Sequence, residues 1–404
     1  MRVVTVSSLY PGPGVPLAGL FIRERVRHVA ALVALRVVAP VPWSPLDPLL
    51  RLVRPGFRPQ RAVDGPGETP PVARPRRLSP PGVLKGLETA LYARSLLPHL
   101  ARLRRAFPFE LLDAHFTWPD GAAVRRLAAA LGVPYTVTLR GTEVGHVRDP
   151  ARREELAATW RDAAAVIAVS RSLAELALAH GCDPAGVHVI PNGIDDGRFR
   201  PLPRAACRRA LGLEEEARVL LTVGGLVPRK GVQHVIETLP ALAEAVPGLR
   251  YVVVGGGSAE GDHRAALERR VRALGLEGRV RFEGPQPPER LPLYYGAADL
   301  FVLASANEGW ANAIAESLAC GTPAVVTDVG GNREQVDRPG LGIVVPPGDG
   351  EALGRALAAG LRRRWDRAAI AAHGGRRTWR TVAAEVVAAF EAALARPRAA
   401  AAAG

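Results

Sequence analysis

Ser305-Ala306-Asn307-Glu308-Gly309-Trp310-Ala311-Asn312-Ala313-Ile314-Ala315-Glu316-Ser317-Leu318-Ala319-Cys320-Gly321-Thr322-Pro323 is the stretch that decides the fold. The apolar run 300–303 before it is predicted to be a buried parallel strand. The alanine-rich segment after Gly309 is predicted to be a helix, closed by Gly321-Thr322-Pro323 ahead of a strand at 324–327. Glu308 and Gly309 then fall in the loop at a strand's carboxyl end, where open α/β sheets bind ligands. The helix's first free N–H groups come from about Trp310, Ala311, Asn312 and Ala313, and such a start attracts phosphate. Glu316 follows roughly two turns in. One carboxylate stands before the anion site and one beyond it. A sugar nucleotide, with hydroxyls on both sides of a diphosphate, suits that layout.

Outward from this segment, apolar β-branched runs alternate with helical stretches. Runs at 2–6, 37–39, 111–114, 135–139, 166–169 and 187–190 form one set. A second set lies at 219–223, 251–254, 280–282, 300–303, 324–327 and 343–345. Near-continuous apolar strands separated by helices predict parallel sheets covered on both faces. The fold class is therefore α/β, with two Rossmann-like domains facing each other across a cleft. Turn residues crowd into Pro191-Asn192-Gly193-Ile194-Asp195-Asp196-Gly197, which sets a boundary between domains 1–192 and 193–375. Residues 54–82, rich in Pro and Arg, read as a long exposed loop. Leu84, Leu87, Leu91, Leu96, Leu97, Leu100 and Leu103 alternate with Arg94, Arg102, Arg104 and Arg105, a basic amphipathic pattern interrupted by Pro98. A helix packed on its own sheet is favoured there over membrane insertion. A last helix is predicted at 379–394, with a fraying tail from Arg396.

At 404 residues and 48% hydrophobic content the chain has room for two full cores and is not disordered. No apolar run approaches the roughly 18–20 residues of a membrane span. The start, Met1-Arg2-Val3-Val4-Thr5-Val6, reads as a strand rather than a secretion signal. Cys182, Cys207 and Cys320 are scattered, which argues against a disulfide framework or zinc site and fits a cytoplasmic location. Residues 1–108 hold 17 Lys or Arg against five Asp or Glu, so most of the net charge of +14 sits there. Nucleic acid is not the expected partner, because no basic–aromatic interleaving or DNA-binding motif is present. Two readings of the asymmetry stand side by side: an anionic membrane face or an anionic lipid-linked acceptor as the partner, and a coding bias toward arginine and alanine.

The segment Glu308-Gly309-Trp310 to Glu316, with Ala319-Cys320-Gly321-Thr322-Pro323 behind it, resembles the Glu-x7-Glu signature of the GT4-type retaining glycosyltransferases of the GT-B fold. The likeness covers nearly the whole chain and is greatest to bacterial exopolysaccharide and teichuronic-acid-type members. Taken alone, two glutamates eight apart are also an ordinary solvated helix face. The resemblance implies that residues 376–404 carry a helix crossing back to the first domain plus a disordered tail. It implies a metal-independent enzyme without a cofactor, moving a sugar from a nucleoside-diphosphate sugar to a glycan or lipid-linked acceptor in cell-envelope or exopolysaccharide synthesis.

The same resemblance assigns roles. Glu316 would bind the ribose, while Gly309 and the Trp310, Ala311 and Asn312 amides with Lys230 would hold the diphosphate. Glu308 and His115 would hold the sugar hydroxyls; Gly284 and Pro285 would offer backbone to the nucleobase, and Gly19 to the diphosphate. Arg140, at the strand exit Thr138-Leu139-Arg140-Gly141-Thr142-Glu143, could orient sugar or phosphate, or pair as an ion with Glu143. One departure stands out. The family's Gly-Arg-Leu-x-x-x-Lys-Gly reads Gly224-Gly225-Leu226-Val227-Pro228-Arg229-Lys230-Gly231 here, so an expected cation is missing at Gly225, with Arg229 or Arg140 as candidate substitutes. Two rival functions remain open: a sugar-nucleotide epimerase of the same fold, and a nucleotide-sugar-binding partner without activity.

Overall fold

The computed structural model describes residues 1–59, 68–82, 85–258 and 260–396. Fifteen strands lie among them: β1 Arg2–Val6, β2 Ala34–Val38, β3 Val41–Trp43, β4 Val72–Ala73, β5 Arg76–Leu78, β6 Leu111–His115, β7 Tyr135–Leu139, β8 Ala165–Ala168, β9 Val187–Val189, β10 Arg218–Val223, β11 Leu249–Val254, β12 Val280–Gly284, β13 Leu300–Leu303, β14 Ala324–Thr327 and β15 Gly342–Val345. The chain divides into two compact units, Met1–Gly193 joined by the segment from Trp379, and Ile194–Thr378.

The first unit is built on a seven-stranded sheet in the order β4-β2-β1-β6-β7-β8-β9. Every pairing in it is parallel. Sequence order reverses between β1 and β6, so their carboxyl ends flank the switch point where such sheets bind ligands. The helix Leu20–Ala30 presents Ile22, Val26 and Val29 to a core that also takes Val382, Val386 and Phe390 from the helix Trp379–Ala395. Burial of such side chains contributes on the order of 1.5–3 kcal/mol each, which holds this last helix on the first sheet.

Two expectations need correction here. Residues 54–82 are not simply a long exposed loop: β4 extends the main sheet, while β5 pairs with β3, and Arg74, Arg77 and Ser79 are buried. The part of that expectation falling on residues 60–67 lies outside the described residues. Pro98 does not interrupt its helix, which runs unbroken over Glu88–Ala106. A helix tolerates an internal proline where the lost hydrogen bond is offset by packing, and Tyr92, Leu96 and Leu100 are fully buried on the turns around it. The tail at 397–404 lies outside the described residues, as does Leu84.

The second unit carries a six-stranded parallel sheet in the order β12-β11-β10-β13-β14-β15. Its strands are apolar at successive positions because both faces are covered. Leu221, Phe301 and Val326 belong to one core, whereas Leu220, Val302 and Val325 belong to the other. The switch point falls between β10 and β13. Gly224 to Lys230 therefore leave the sheet beside Ala304 to Glu308. No helix among the described residues is long and apolar enough to cross a membrane.

Candidate active site

At the switch point of the second unit, three loops are pressed together by glycines. Gly231 has φ +73, and a Cβ there would lie 1.9 Å from the Ala304 carbonyl oxygen. Gly330 has φ +50, and its Cβ would lie 1.8 Å from the Glu308 carbonyl oxygen. Only glycine permits both approaches. The backbone around Glu308 is thus fixed from two sides, with Ala306 N–H bonded to the Arg229 carbonyl at 2.8 Å and Gly331 N–H to the Gly309 carbonyl at 3.1 Å.

Fixed backbone makes for a fixed carboxylate. Glu308 Oε1 accepts from Lys230 Nζ at 2.6 Å and from Ser305 Oγ at 2.7 Å. Arg229 Nη1 stands 3.7 Å from Oε2, and its Nε and Nη2 grip Glu260, each at 2.7 Å. Two cations therefore converge on one nearly buried carboxylate. An anion entering here finds Lys230 and Arg229 already placed, with charge that falls in a poorly solvated site and counts for more than on the surface.

The helix behind this loop spans Asn312–Ala319, and its N-cap residue Ala311 makes no side-chain cap. Ile314 N–H returns to the Ala311 carbonyl at 3.1 Å. The amides aimed out of the helix are thus those of Asn312 and Ala313, with Trp310 one step outside in the loop. The Trp310 indole N–H is buried with no hydrogen-bond partner among the described residues. Glu316 sits one turn into the helix rather than the two expected, because the helix begins only at Asn312; it is half-buried, and Tyr295 Oη donates to its Oε2 at 2.7 Å. Burial pushes the Glu316 carboxyl up to about 7, against the pull of the Tyr295 hydrogen bond and the Arg198 charge.

Of the nucleobase candidates, Gly284 has φ +71 and its carbonyl accepts from Gly255 N–H at 2.9 Å. Pro285 rests against Gly256, where an added Cβ would meet its Cγ at 2.8 Å.

In the first unit, β6 ends at His115, on the switch point. Its ring is fully buried. Arg140 Nη2 lies 2.8 Å from Nδ1, and Asp113 Oδ2 lies 3.2 Å from Nε2. Because a guanidinium only donates, Nδ1 is the acceptor and Nε2 carries the proton. Arg140 also donates to Asn192 Oδ1 at 2.7 Å and stacks over the Phe21 ring at 5.1 Å. Among the described residues its guanidinium forms no ion pair with a carboxylate. The ion pair with Glu143 left open by the sequence is not formed, because the Glu143 oxygens accept instead from the Thr117, Arg140 and Gly141 amides. Gly19 caps the helix Leu20–Ala30 at φ +70, with its carbonyl taken by Ile22 and Arg23.

Burial holds the His115 imidazole down to about 4, with Arg140 adding to the effect and Asp113 opposing it. An unfolded histidine titrates near 6.5. Between those values the unfolded chain takes up a proton that the folded chain refuses, so this residue's contribution is present above about 6.5 and is lost as pH falls toward 4. Denaturant titrations at about pH 4.5 and pH 7 should therefore show a smaller pH difference for His115→Asn than for the wild type. An unchanged difference would assign the acid sensitivity to other groups.

Spacing alone did not single out Tyr295, Ser305, Glu260, Asp113 or Asn192 as partners of the site. Ser305, three residues before Glu308, and Asp113, two residues before His115 on the same strand, carried the local signals.

With this geometry in hand, comparison with known proteins is direct. The family described as glycosyl transferases group 1 matches residues 203–376, and the glycosyltransferase family 4 domain matches residues 49–198. A D-inositol 3-phosphate glycosyltransferase of Acidothermus cellulolyticus is 32% identical over 72% of this chain and 69% of its own length. TuaC of Bacillus subtilis, a glycosyltransferase whose name assigns it provisionally to teichuronic acid biosynthesis, is 30% identical over 82% of each chain. Among solved structures, sucrose-phosphate synthase from Thermosynechococcus elongatus superposes with a TM-score of 0.73 at 22% identity, covering 96% of this chain and 98% of that one. Anabaena Alr3699/HepE in complex with UDP-glucose gives 0.73 at 20% identity, over 97% and 99%. The fold is that of the GT-B glycosyltransferases, and the protein is a glycosyltransferase. It belongs to the group 1 glycosyl transferases, with a family 4 domain in its first half.

Proposed function

We propose that the protein is a retaining, metal-independent hexosyltransferase that moves a sugar from a nucleoside-diphosphate sugar to a glycan or lipid-linked acceptor in cell-envelope or exopolysaccharide synthesis. The observation that carries this is the placement of Lys230, Glu308 and Glu316 around the uncapped start of Asn312–Ala319. The UDP-glucose held by HepE, a protein of the same fold, supports a nucleotide sugar as the donor. TuaC and its named pathway support an envelope polymer as the acceptor.

Each residue then has a task. Lys230 and the Asn312 and Ala313 amides neutralise the leaving diphosphate in place of a metal ion. Glu316 accepts the ribose hydroxyls. Glu308, released from Lys230 as the diphosphate takes over Nζ, turns to the sugar hydroxyls and to the positive charge growing at the anomeric carbon. Arg229 supplies the second cation that Gly225 does not.

Gly225 leaves room for the family's own solution. A Cβ there meets nothing nearer than 3.9 Å. Gly225→Arg should consequently fold normally and tighten nucleoside diphosphate binding by about threefold to tenfold, the size of one added charge-assisted contact. Calorimetric titration reads it; weaker binding would mean that Arg229 already fills the position.

Nucleoside diphosphate release, measured with and without acceptor, tests the whole reading. Release that requires acceptor is expected. Conversion of the nucleotide sugar with no acceptor would make the protein an epimerase, and donor binding without any turnover would make it a binding partner.

A further inference from the structure

A surface helix of a globular protein turns its apolar side inward. The short helix Asp47–Val53 does the reverse. Its buried side chain is Asp47, 1% exposed, whose carboxylate accepts from Ser44 N–H at 3.1 Å and from Arg58 Nη1 at 3.0 Å. Arg51, one turn on, donates from Nε to the Phe57 carbonyl at 3.2 Å. The polar side therefore anchors the helix. Leu46, Leu49, Leu52 and Val53 are 50%, 63%, 80% and 81% exposed, and they account for four of the nine large apolar side chains exposed among the described residues. Their spacing puts them on one face, opposite Asp47 and Arg51.

A second copy is a poor fit. Four side chains on two turns fall far short of the ~800 Å² per partner of a stable interface. A two-fold contact would also set Arg51 and Arg54 against their own copies. The charge points elsewhere. Residues 46–59 hold Arg51, Arg54 and Arg58 against Asp47 alone, which Arg58 neutralises.

We propose that this inverted helix docks the first unit on an anionic lipid bilayer. Leu46, Leu49, Leu52 and Val53 enter the boundary between headgroups and acyl chains, and Arg51 and Arg54 stay at the level of the lipid phosphates. The attachment is peripheral. It is independent of the glycosyl-transfer reading, because it needs no donor, and it would bring a lipid-linked acceptor to the enzyme rather than the reverse.

Co-sedimentation of the full chain with vesicles, without donor, tests it. Wild-type protein should bind vesicles of phosphatidylglycerol and phosphatidylcholine at least tenfold more tightly than vesicles of phosphatidylcholine alone, and raising salt should weaken the binding. The triple variant Leu49→Ser, Leu52→Ser, Val53→Ser should lose about tenfold or more of that affinity, with a thermal midpoint close to the wild type because these side chains are mostly exposed. Wild-type protein that stays off anionic vesicles, or a triple variant that binds them equally well, overturns the proposal. So does a concentration-dependent wild-type dimer that the triple variant dissolves while vesicles remain unbound, since the occupant is then a second copy.

Discussion

Lys230→Ala is expected to lower donor turnover by about 10²-fold or more while leaving the protein folded. The size follows from the site. Lys230 Nζ sits 2.6 Å from Glu308 Oε1 at the sheet's switch point, in a position only 17% exposed. Under the proposed function a cation there neutralises charge that grows on the leaving diphosphate, with an effect greater in the transition state than in the ground state. The fold survives because Glu308 keeps Ser305 Oγ at 2.7 Å and Arg229 Nη1 at 3.7 Å, so the carboxylate is not stranded. Steady-state rates with saturating donor, paired with a melting curve, separate the two effects. A variant with unimpaired turnover would hand the leaving group to Arg229, and Arg229→Ala should then be the damaging change.

Glu316→Ala is expected to weaken nucleoside diphosphate binding by about 10- to 30-fold, the loss of about 1.5–2 kcal/mol from hydrogen bonds to a charged acceptor. Glu308→Ala should weaken it less, because the proposed function gives its carboxylate to the sugar rather than to the nucleotide. Equal affinities in the two variants would count against the separate roles. A pH signature accompanies this. Burial raises the Glu316 carboxyl to about 7, so near neutrality it is part protonated and a poorer acceptor. Donor KM should fall as pH rises through that value, and the dependence should vanish in Glu316→Gln. Stability moves the other way. In the window from the ordinary carboxylate range up to about 7 the folded chain holds a proton the unfolded chain has lost, so rising pH withdraws stability here.

Much of this site could be read from the chain. The strand at Leu300–Leu303, the loop with Glu308, the helix with Glu316 and the strand at Ala324–Thr327 follow from local periodicity and from turn chemistry such as Gly321-Thr322-Pro323. Buried parallel strands are apolar on both faces, which makes β10, β11 and β14 conspicuous. The short strands Val72–Ala73 and Arg76–Leu78 are not. Arg77 within the second and Arg74 just after the first are buried, stabilised by partners such as Glu88 and Glu68, so no apolar alternation marks them. The contacts that tune the site were equally hidden. Tyr295 and Glu316 are 21 positions apart, Arg140 and Asn192 are 52, and Lys230 and Glu308 are 78. Such meetings are set by sheet order, and spacing along the chain does not encode them. The inverted helix at Asp47–Val53 escaped for another reason: a leucine-rich turn looks the same in sequence whether its apolar face is covered or bare.

The most direct measurement is a crystal structure of the protein with a nucleoside diphosphate bound. The expected result places diphosphate oxygens within hydrogen-bond distance of Lys230 Nζ and of the Asn312 and Ala313 amides, with the ribose hydroxyls on Glu316 and Glu308 turned away from Lys230. A nucleotide seated elsewhere, with the Lys230–Glu308 pair closed and the start of Asn312–Ala319 empty, would contradict it.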